Sequence, residues 1–374
     1  MGSAFPRFGS GRGSKAPTRS TGLPFPALRR VAAEPAVAEP SRYSRVVMNW
    51  LQARRLLRRA GGHSAAERGS LETAAVRPAT EDGDGGERVA PAAERSSSAA
   101  AAVGVVRAAS LCIASGKGGT GKSVVTASLA HRFAARGRTL VLDADLGVGN
   151  AHILQDLSPD TSLVDVVEGR RTVRSVVQAC GERLDLIAGG CGVSRMAGLS
   201  AYELHVVAAG LEELEREYAY LLVDSAAGIS VQTMSFAVPA DIVLIVTTPD
   251  LTAMTDAYAF LKVLTRRRPE YSPLLVVNRA EDEPSARHVA ERIGNVANRF
   301  LGTAPRYVGW LPDDPAVTRS VNRRAPVVDA EPNAPWSLAL DELAVRLLEQ
   351  SSSAHPRGLG AGLLRRVGYG ARQR

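Results

Sequence analysis

The chain has 374 residues, 45% of them apolar, so it can bury one substantial core and still leave residues over for tails. Its net charge of +8 is uneven: residues 1–108 carry 17 Lys and Arg against 9 Asp and Glu, residues 351–374 carry 5 against none, and residues 109–350 carry 24 against 29. The basic character therefore belongs to the two ends of the chain, which argues against a nucleic-acid-binding role for the whole fold.

Cysteine usage and hydropathy narrow the class of protein further. Cys112, Cys180 and Cys191 are widely spaced and form no CxxC pair, which favours a reducing compartment and no structural zinc. Each is expected to be a small residue of the core. No uninterrupted apolar run reaches the roughly 18 residues of a membrane-spanning helix, so any membrane contact is predicted to be peripheral.

Residues 1–108 are predicted to form a disordered basic extension and linker. The first 33 residues contain no acid and are rich in Arg, Ser, Pro and Gly. This composition is typical of a transit peptide, a disordered tail or a start assigned upstream of the true one, and the last two are favoured. Met48 offers such a later start, followed by a short basic helix predicted over residues 48–60. Residues 61–102 have few large apolar side chains and are interpreted as linker.

The ordered domain is predicted to span residues 109–350. Short β-branched runs alternate there with segments of helical period, the pattern of an α/β fold in which a mostly parallel sheet of about seven to eight strands has helices on both faces. Ligands of such sheets bind at the carboxyl ends of the strands, so functional residues are expected directly after each strand. The predicted strands are 111–114, 139–143, 184–188, 220–224, 242–247, 274–278 and 307–310. The predicted helices include 122–136, 201–217, 252–267 and 285–300.

A phosphate-binding loop is predicted directly after the first strand. Residues 116–123 satisfy the pattern G-x-x-x-x-G-K-[ST] between a strand and a helix, which is typical of a P-loop NTPase. The glycines let backbone N–H groups point inward at phosphate oxygens, helped by the positive end of the helix dipole. Lys122 is expected to contact the β- and γ-phosphates, and Ser123 to bind Mg²⁺. The predicted nucleotide-binding residues of the loop are Gly116, Lys117, Gly118, Gly119, Thr120, Gly121, Lys122 and Ser123.

Acidic residues at the ends of two later strands are predicted to complete the site. Asp143 and Asp145 lie two positions apart, so their side chains point to the same side of the backbone. One can bind metal-bound water while the other orients the attacking water, the two tasks that phosphoryl transfer requires of carboxylates. Asp224 follows four apolar residues, as in a Walker B strand, and Gly228 leaves the backbone after it free to move. Ser123, Asp143 and Asp224 are the predicted magnesium ligands, and helix capping is the alternative for Asp143 and Asp145.

The loop sequence SGKGGTGKS at residues 115–123 resembles the deviant Walker A motif of the MinD/ParA/ArsA/NifH class. The resemblance implies that two subunits enclose ATP and that Lys117 of each reaches across a two-fold axis to the nucleotide of the other. It also implies that Asp145 is the hydrolytic residue. Lys117, Lys122 and Asp145 are thus the predicted catalytic residues of a slow, partner-stimulated ATPase that forms a homodimer on binding ATP. A solvated loop lysine is the alternative for Lys117.

Recognition of the base is predicted at two positions. Asn278 follows an apolar run where related proteins place an asparagine against adenine. Pro312 opens the segment PDDP at residues 312–315, which resembles their second base-contacting loop. Turn formation is the alternative for both, because Asn, Asp and Pro all favour turns. The preference for ATP over GTP rests on the resemblance and on the absence of the N-K-x-D tetrad of GTPases from the sequence.

Three segments look most like the flagellar-number regulators known as FlhG, FleN or YlxH, namely DADLGVGN at 143–150, DSAAGIS at 224–230 and the stretch 248–264. DNA-partitioning ParA proteins typically have a Pro-Gln-Gly turn where Leu146 and Gly147 stand, and MinD usually has proline in place of Ala226. The resemblance implies an ATP-dependent dimerisation switch at the membrane that regulates flagellar number or placement. The alternatives are a ParA-like, DNA-associated positioning ATPase and a division-site MinD.

A short N-terminal motif points to one class of partner. Residues 52–56 fit part of the sequence D-Q-A-x-x-L-R, which the flagellar branch often carries to stimulate a signal-recognition-type GTPase. Leu51 stands in place of the acid, and an ordinary basic helix is the alternative. The resemblance to the same branch makes flagellar basal-body proteins candidate partners.

The C-terminal tail, residues 351–374, is basic and weakly amphipathic. Leu359, Leu363, Leu364 and Val367 form one helical stripe with arginines around it, while the glycines between them weaken helix formation by about 1 kcal/mol each. Such a segment is predicted to bind an anionic membrane surface, with a disordered basic tail as the alternative. We therefore expect a cytoplasmic protein with peripheral association at the inner membrane, for which nucleic acid is not the main ligand.

Overall fold

The structure of the protein is a computed structural model. It describes residues 107–147, 149–190, 199–353 and 356–371. The predicted basic helix at 48–60, the partial motif at 52–56 and Cys191 lie outside the described residues. Cys112 is buried and Cys180 is partly buried, in line with the expectation that they are small residues of the core.

Within the residues that the structure describes, an eight-stranded sheet forms the centre of the domain. Its strands are β1 (Ala109–Ala114), β2 (Thr139–Asp143), β3 (Val177–Gly181), β4 (Leu184–Ile187), β5 (Tyr220–Asp224), β6 (Ile242–Thr247), β7 (Leu274–Ala280) and β8 (Arg306–Pro312). They lie in the order β3-β4-β2-β5-β1-β6-β7-β8, and each neighbouring pair is parallel except β3 with β4. The predicted α/β class, with a mostly parallel sheet and helices on both faces, is confirmed.

Helices cover both faces of this sheet. In the described part of the chain they are α1 (Lys122–Ala134), α2 (Leu163–Val167), α3 (Ala201–Leu214), α4 (Val231–Ala237), α5 (Leu251–Arg267), α6 (Glu283–Leu301), α7 (Pro315–Asn322), α8 (Val327–Ala330), α9 (Pro335–Ser353) and α10 (Leu359–Ala371). Their apolar residues form two separate clusters, one on each face. Helices α1, α7, α8 and α9 contribute to one cluster, and α2 to α6 together with α10 contribute to the other.

Local sequence explains why these elements begin and end where they do. All residues of β1 and of β6 are buried, because each strand is covered on both faces. The Ser200 hydroxyl caps α3 by accepting the Glu203 N–H, and the Asp282 carboxylate caps α6 by accepting the Ser285 N–H. Helix α6 ends at Gly302, whose positive φ of 70° is the left-handed conformation common after helices.

The antiparallel strand β3 is absent from the predicted strands. Its residues are exposed or half-buried and of mixed polarity, so no apolar run marks it. It forms because only Glu182 and Arg183 separate it from β4, which makes the two strands a hairpin. Since β3 lies at the edge of the sheet, it does not change the arrangement of the strands that carry the predicted site.

Part of the predicted basic C-terminal tail packs against the domain as a helix. Residues Leu359–Ala371 form α10, and Leu359 and Leu363 are fully buried in the cluster shared with α3, α4 and α5. A Cβ atom on Gly360 would lie 2.7 Å from the Ala208 carbonyl oxygen, so only glycine lets the helix approach α3 this closely. A glycine expected to weaken the helix is thus what permits its packing. None of the described helices is long and apolar enough to cross a membrane.

Candidate active site

The loop between β1 and α1 is shaped to surround a phosphate group. Gly119 and Gly121 adopt left-handed backbone angles, with φ of 79° and 91°, which fold the loop tightly. A Cβ atom on Gly118 or Gly119 would meet nothing within 4 Å, so this side of the loop is open. The Ser115 hydroxyl donates to the Lys117 carbonyl oxygen at 2.6 Å and fixes the entry to the loop. The backbone is therefore tightly folded and accessible to a ligand of phosphate size.

The first turn of α1 leaves backbone N–H groups available to an anion. Gly121 stands at the N-cap position, where no side chain accepts a hydrogen bond, and the first turn contains no acid. Lys122 is 8% exposed, and its ammonium attracts the Asp224 carboxylate. An anion bound at this helix end would contact both the N–H groups and Lys122. The structure thus brings the predicted phosphate-binding residues together.

Two buried carboxylates lie beside the loop, at the ends of β2 and β5. Asp143 and Asp224 are register partners and are 0% and 2% exposed. Burial, and then the charge of Asp224, raises the pKa of Asp143 to about 8. Burial also raises the pKa of Asp224 to about 6, against the lowering effects of a hydrogen bond from Ser123 and the charge of Lys122. The described side chains neutralise the negative charge of Asp143 and Asp224 only in part. The pair is therefore suited to bind a cation.

The available side chains fit magnesium better than a metal held entirely by protein. Within the described residues, no group of three or more His, Cys, Asp or Glu side chains could hold a metal ion. Magnesium commonly takes one or two carboxylates and completes its octahedron with waters and phosphate oxygens. The structure brings Ser123, Asp143 and Asp224 together beside the P-loop. Their assignment as magnesium ligands stays a prediction.

The segment after β2 is built around Asp143. Its carboxylate oxygens accept the Asp145 N–H at 3.0 Å and the Ala151 N–H at 3.1 Å. Gly149 lies so close that a Cβ atom there would be 2.6 Å from Asp143 Oδ2. Asp145 is half-buried and accepts the Gly147 N–H at 3.1 Å. Asp143 therefore orders this segment, while Asp145 keeps a carboxylate that water can reach.

Lys117 is exposed, in contrast to Lys122. Its ammonium donates to the Thr252 hydroxyl at 2.9 Å, in the first turn of α5. Burial raises the pKa of Asp256, about one turn further along α5, and the Lys117 ammonium opposes that rise. The two lysines of the loop thus have different neighbours, the internal Asp224 for one and the surface of α5 for the other. The contact of Lys117 with the nucleotide of a second subunit stays a prediction.

Two contacts that sequence analysis missed join the site to α4 and to the segment after β5. The Gln232 side chain on α4 donates to the Ala144 carbonyl oxygen at 2.8 Å. The Gly228 N–H donates to the Ser115 carbonyl oxygen at 2.9 Å, and Gly228 has a left-handed φ of 88°. Gln232 belongs to no motif, and only its place shortly after the Walker B strand could have drawn attention to it.

The structure gives Asn278 a role that differs from the predicted adenine contact. Its side-chain nitrogen donates to the Thr120 carbonyl oxygen at 2.8 Å, and its side-chain oxygen accepts the Trp336 indole N–H at 3.2 Å. A Cβ atom on Gly121 would lie 2.4 Å from the same nitrogen. Asn278 therefore supports the P-loop from inside the domain with both of its polar groups, and Trp336, which no motif indicates, is part of that support. A contact with adenine stays a prediction.

Pro312 is the last residue of β8, and the segment after it caps a helix. One carboxylate oxygen of Asp314 accepts the Ala316 N–H at 2.8 Å at the start of α7. The other accepts the Trp336 backbone N–H at 3.2 Å at the start of α9. These are turn and capping roles, which the sequence leaves open as the alternative to base contact. Recognition of the base by Pro312 stays a prediction.

Comparison with known proteins shows the family to which the chain belongs. The sequence matches the CobQ/CobB/MinD/ParA nucleotide binding domain over residues 111–327. It is 33% identical over 249 residues to the antiactivator FleN of Pseudomonas aeruginosa, a match that covers 66% of this chain and 89% of FleN. It is 29% identical over 242 residues to the flagellum site-determining protein YlxH of Helicobacter pylori, a match that covers 64% of this chain and 82% of YlxH.

Solved structures have the same architecture. A chain of the MinC:MinD cell division protein complex of Aquifex aeolicus is 26% identical, with a TM-score of 0.54, and the match covers 65% of this chain and 96% of that one. The septum site-determining protein MinD of Pyrococcus horikoshii, solved with Mg-ADP, is 21% identical with a TM-score of 0.54 over 64% of this chain and 95% of its own, a likeness of fold alone. The chain therefore belongs to the CobQ/CobB/MinD/ParA nucleotide-binding family. It is an ATPase of the MinD/ParA class, related to the flagellar regulators FleN and YlxH, and the predicted resemblance is confirmed.

Proposed function

We propose that this ATPase is a dimerisation switch at a membrane. It binds ATP with Mg²⁺, closes into a homodimer, hydrolyses ATP slowly, and regulates flagellar number or placement. The observation that carries the proposal is the contrast between the two lysines of the P-loop. Lys122 is 8% exposed beside Asp224, whereas Lys117 is exposed on the same loop. Because one lysine suffices to hold the phosphates within a subunit, the exposed one is available to a second subunit.

The chain's own residues support hydrolysis within each subunit. The P-loop N–H groups and Lys122 would bind phosphate oxygens. Asp145, which is half-buried and ordered by the Gly147 N–H, would orient the attacking water. Asp224 accepts a hydrogen bond from Ser123, and this hydroxyl would face the metal. Magnesium, when bound, would neutralise charge on the phosphates. The slow rate and its stimulation by a partner follow from the family resemblance.

The contacts of α4 provide a route from the nucleotide site to the C-terminal helix. Gln232 on α4 donates to the Ala144 carbonyl oxygen, in the segment that Asp143 orders. Helix α10 lies beside the end of α4, since a Cβ atom on Gly362 would be 2.7 Å from Pro239 Cβ. A shift of the segment after β2 on binding ATP would therefore move α4 and loosen α10.

Helix α10 is the proposed membrane anchor. After release, Leu359 and Leu363 would enter the lipid interface, and Arg365 and Arg366 would contact anionic headgroups at about 1 kcal/mol each. Burial lowers the pKa of Arg366, and the charge of the neighbouring Arg267 lowers it further, so like charges crowd the docked helix. One such anchor binds weakly, whereas two on a dimer bind together, which would tie residence at the membrane to ATP.

The names of the related proteins support the flagellar role. One relative is an antiactivator and another a flagellum site-determining protein. A signal-recognition-type GTPase and flagellar basal-body proteins are the proposed partners, and the cytoplasmic face of the inner membrane is the proposed location. The GTPase rests on residues 52–56, which lie outside the described residues.

Size-exclusion chromatography with light scattering tests the switch. With ATP and Mg²⁺, wild type is expected to approach the mass of a dimer, and Asp145→Ala to stay a dimer because hydrolysis is lost. Lys122→Ala is expected to stay monomeric because the phosphates are no longer held. Lys262→Ala changes a half-buried lysine on α5 and serves as the control that behaves as wild type. If ATP changes the mass of neither wild type nor Asp145→Ala, the proposed switch is wrong.

A further inference from the structure

Two carboxylates at the amino edge of the sheet connect the two ends of the described domain. Glu215 directly follows α3 and is 2% exposed, and Asp241 directly precedes β6. Both residues contact residues 107–110, at the start of β1, and residues 357–360, at the start of α10. Asp241 does so through its carboxylate, and Glu215 through its carboxylate and its backbone carbonyl.

Glu215 contacts both segments. Its Oε1 accepts the Gly360 N–H at 2.7 Å, in the first turn of α10. Its Oε2 forms an ion pair with Arg107 Nη1 at 3.6 Å. The other terminal nitrogen of Arg107, Nη2, donates to Glu212 at 2.9 Å. Its backbone carbonyl oxygen accepts the Ala108 N–H at 2.8 Å. The Glu215 carboxylate is therefore enclosed between Arg107 on one side and α10 on the other.

Asp241 repeats this arrangement with its own two oxygens. Oδ2 accepts the Ser110 N–H at 3.0 Å and the Ser110 hydroxyl at 2.6 Å. Oδ1 accepts the Arg357 N–H at 2.9 Å, just before α10. The first N–H groups of a helix lack partners within the helix, so acceptors supplied by the body of the domain hold the start of α10 in place. The same acceptors hold residues 107–110.

The balance of charge at Glu215 depends on Arg107. Burial raises the pKa of Glu215 to about 7, while the Gly360 N–H, the Arg107 guanidinium and the Leu359 N–H lower it and the charge of Asp241 raises it. Above about pH 7, where Glu215 is ionised, a buried carboxylate without a cation is costly, whereas release of α10 would let water reach it. Displacing Arg107 therefore favours the released helix over the docked one.

We propose that residues 107–110 and α10 form one latch, in which Arg107 and Glu215 make docking of the C-terminal helix depend on the segment that joins the domain to residues 1–106. Displacing Arg107 would therefore loosen α10. Release of α10 would loosen residues 107–110 in return, because coupling between sites is reciprocal. The latch rests on the proposed function only for its purpose. Through Arg107, the segment before β1 would control the docking of α10 in addition to any control by ATP.

Hydrogen–deuterium exchange of the full chain without nucleotide tests the latch. In Arg107→Gln, the amides of residues 359–367 are expected to exchange on the order of tenfold faster than in wild type, the effect of losing one charge-assisted contact. Arg107→Lys keeps the charge and should recover much of the protection. Arg132→Gln is the matched control, because Arg132 is a half-buried arginine paired with Asp341 of α9 in the cluster on the other face of the sheet. Arg132→Gln should leave the exchange rates of residues 359–367 as in wild type.

Gly360→Ala tests the coupling in the reverse direction. The added Cβ would lie 2.4 Å from the Glu212 nitrogen, so α10 cannot keep its position, and the amides of residues 107–110 are expected to exchange faster. The latch is overturned if Arg107→Gln leaves exchange at 359–367 as in wild type. It is equally overturned if Gly360→Ala frees α10 and leaves 107–110 protected. Since no step uses ATP, the result is independent of whether ATP drives dimerisation.

Discussion

The two edges of the sheet differ in how their buried charges are balanced. At the carboxyl edge, Asp143 and Asp224 are buried side by side with raised pKa values, and the neighbouring P-loop glycines border open space. At the amino edge, Asp241 accepts hydrogen bonds from both ends of the domain, and Glu215 lies between a hydrogen bond from α10 and an ion pair with Arg107. The first arrangement is open to a ligand, whereas residues of the chain itself complete the second. Buried acidic residues therefore mark a predicted binding site at one edge and a structural junction at the other.

The largest expected effect is the loss of ATP affinity when the backbone shape of the P-loop is changed. Gly121→Ala would force alanine to a φ of 91° and place its Cβ 2.4 Å from the Asn278 nitrogen. We expect ATP binding to weaken by about 100-fold or more, measured by isothermal titration calorimetry. Gly294→Ala in α6 is the control, because the nearest atom to its Cβ would be 3.8 Å away. Equal affinities for the two variants would show that the glycine backbone does not shape the carboxyl edge.

The next largest expected effect is a loss of stability when Asn278, which supports the P-loop, is replaced. Asn278→Ala leaves the Thr120 carbonyl and the Trp336 indole N–H without their partners. We expect the free energy of unfolding to fall by about 2 kcal/mol in urea denaturation, since each orphaned buried group costs about 1 kcal/mol or more. Asn298→Ala, at an exposed position of α6, is the control with little change. If the free energy of unfolding falls as little as in the control, Asn278 does not support the P-loop. Only its predicted contact with the base would then remain.

The amino edge is expected to respond to pH. Burial raises the pKa of Glu215 from 4.5 to about 7, so between these values the docked state keeps a proton that the unfolded or released state has lost. The contribution of Glu215 to stability is thus full below pH 4.5 and is lost as the pH rises to about 7. Among the described residues, the charged groups that act on Glu215 are Arg107 and Asp241, and Glu212 shares Arg107 with it.

Amide exchange of α10, corrected for the intrinsic effect of pH, measures this response. We expect exchange to rise severalfold between about pH 5 and pH 8 in wild type, and this dependence to be absent in Glu215→Gln. A flat profile in wild type would mean that the enclosure of Glu215 does not limit release of the helix.

The sequence predicts the carboxyl edge well because its signals are local. An apolar strand is followed at once by GKGGTGKS, and Asp143 and Asp224 each end a strand, so strand order alone brings them together. Asn278 is the exception at this edge. Its partner Trp336 lies 58 residues further along the chain, and only the folded domain shows that they meet.

The sequence predicts the amino edge poorly for a physical reason. A stripe of leucines with glycines looks the same whether it packs on lipid or on protein, so Leu359 and Leu363 do not indicate their burial against α3. Helix α9 also continues to Ser353, past the predicted end of the domain at residue 350. Glu215 shows no motif, because its importance comes from contacts with residues far away in sequence.

Lys117 and Lys122 are proposed to contact nucleotides of different subunits. Analytical ultracentrifugation of Lys117→Ala with ATP and Mg²⁺, combined with a measurement of ATP affinity, tests this proposal most directly. We expect this variant to bind ATP nearly as tightly as wild type, because Lys122 holds the phosphates, but to sediment as a monomer where wild type sediments as a dimer. A Lys117→Ala variant that binds ATP and dimerises as completely as wild type would contradict this proposal.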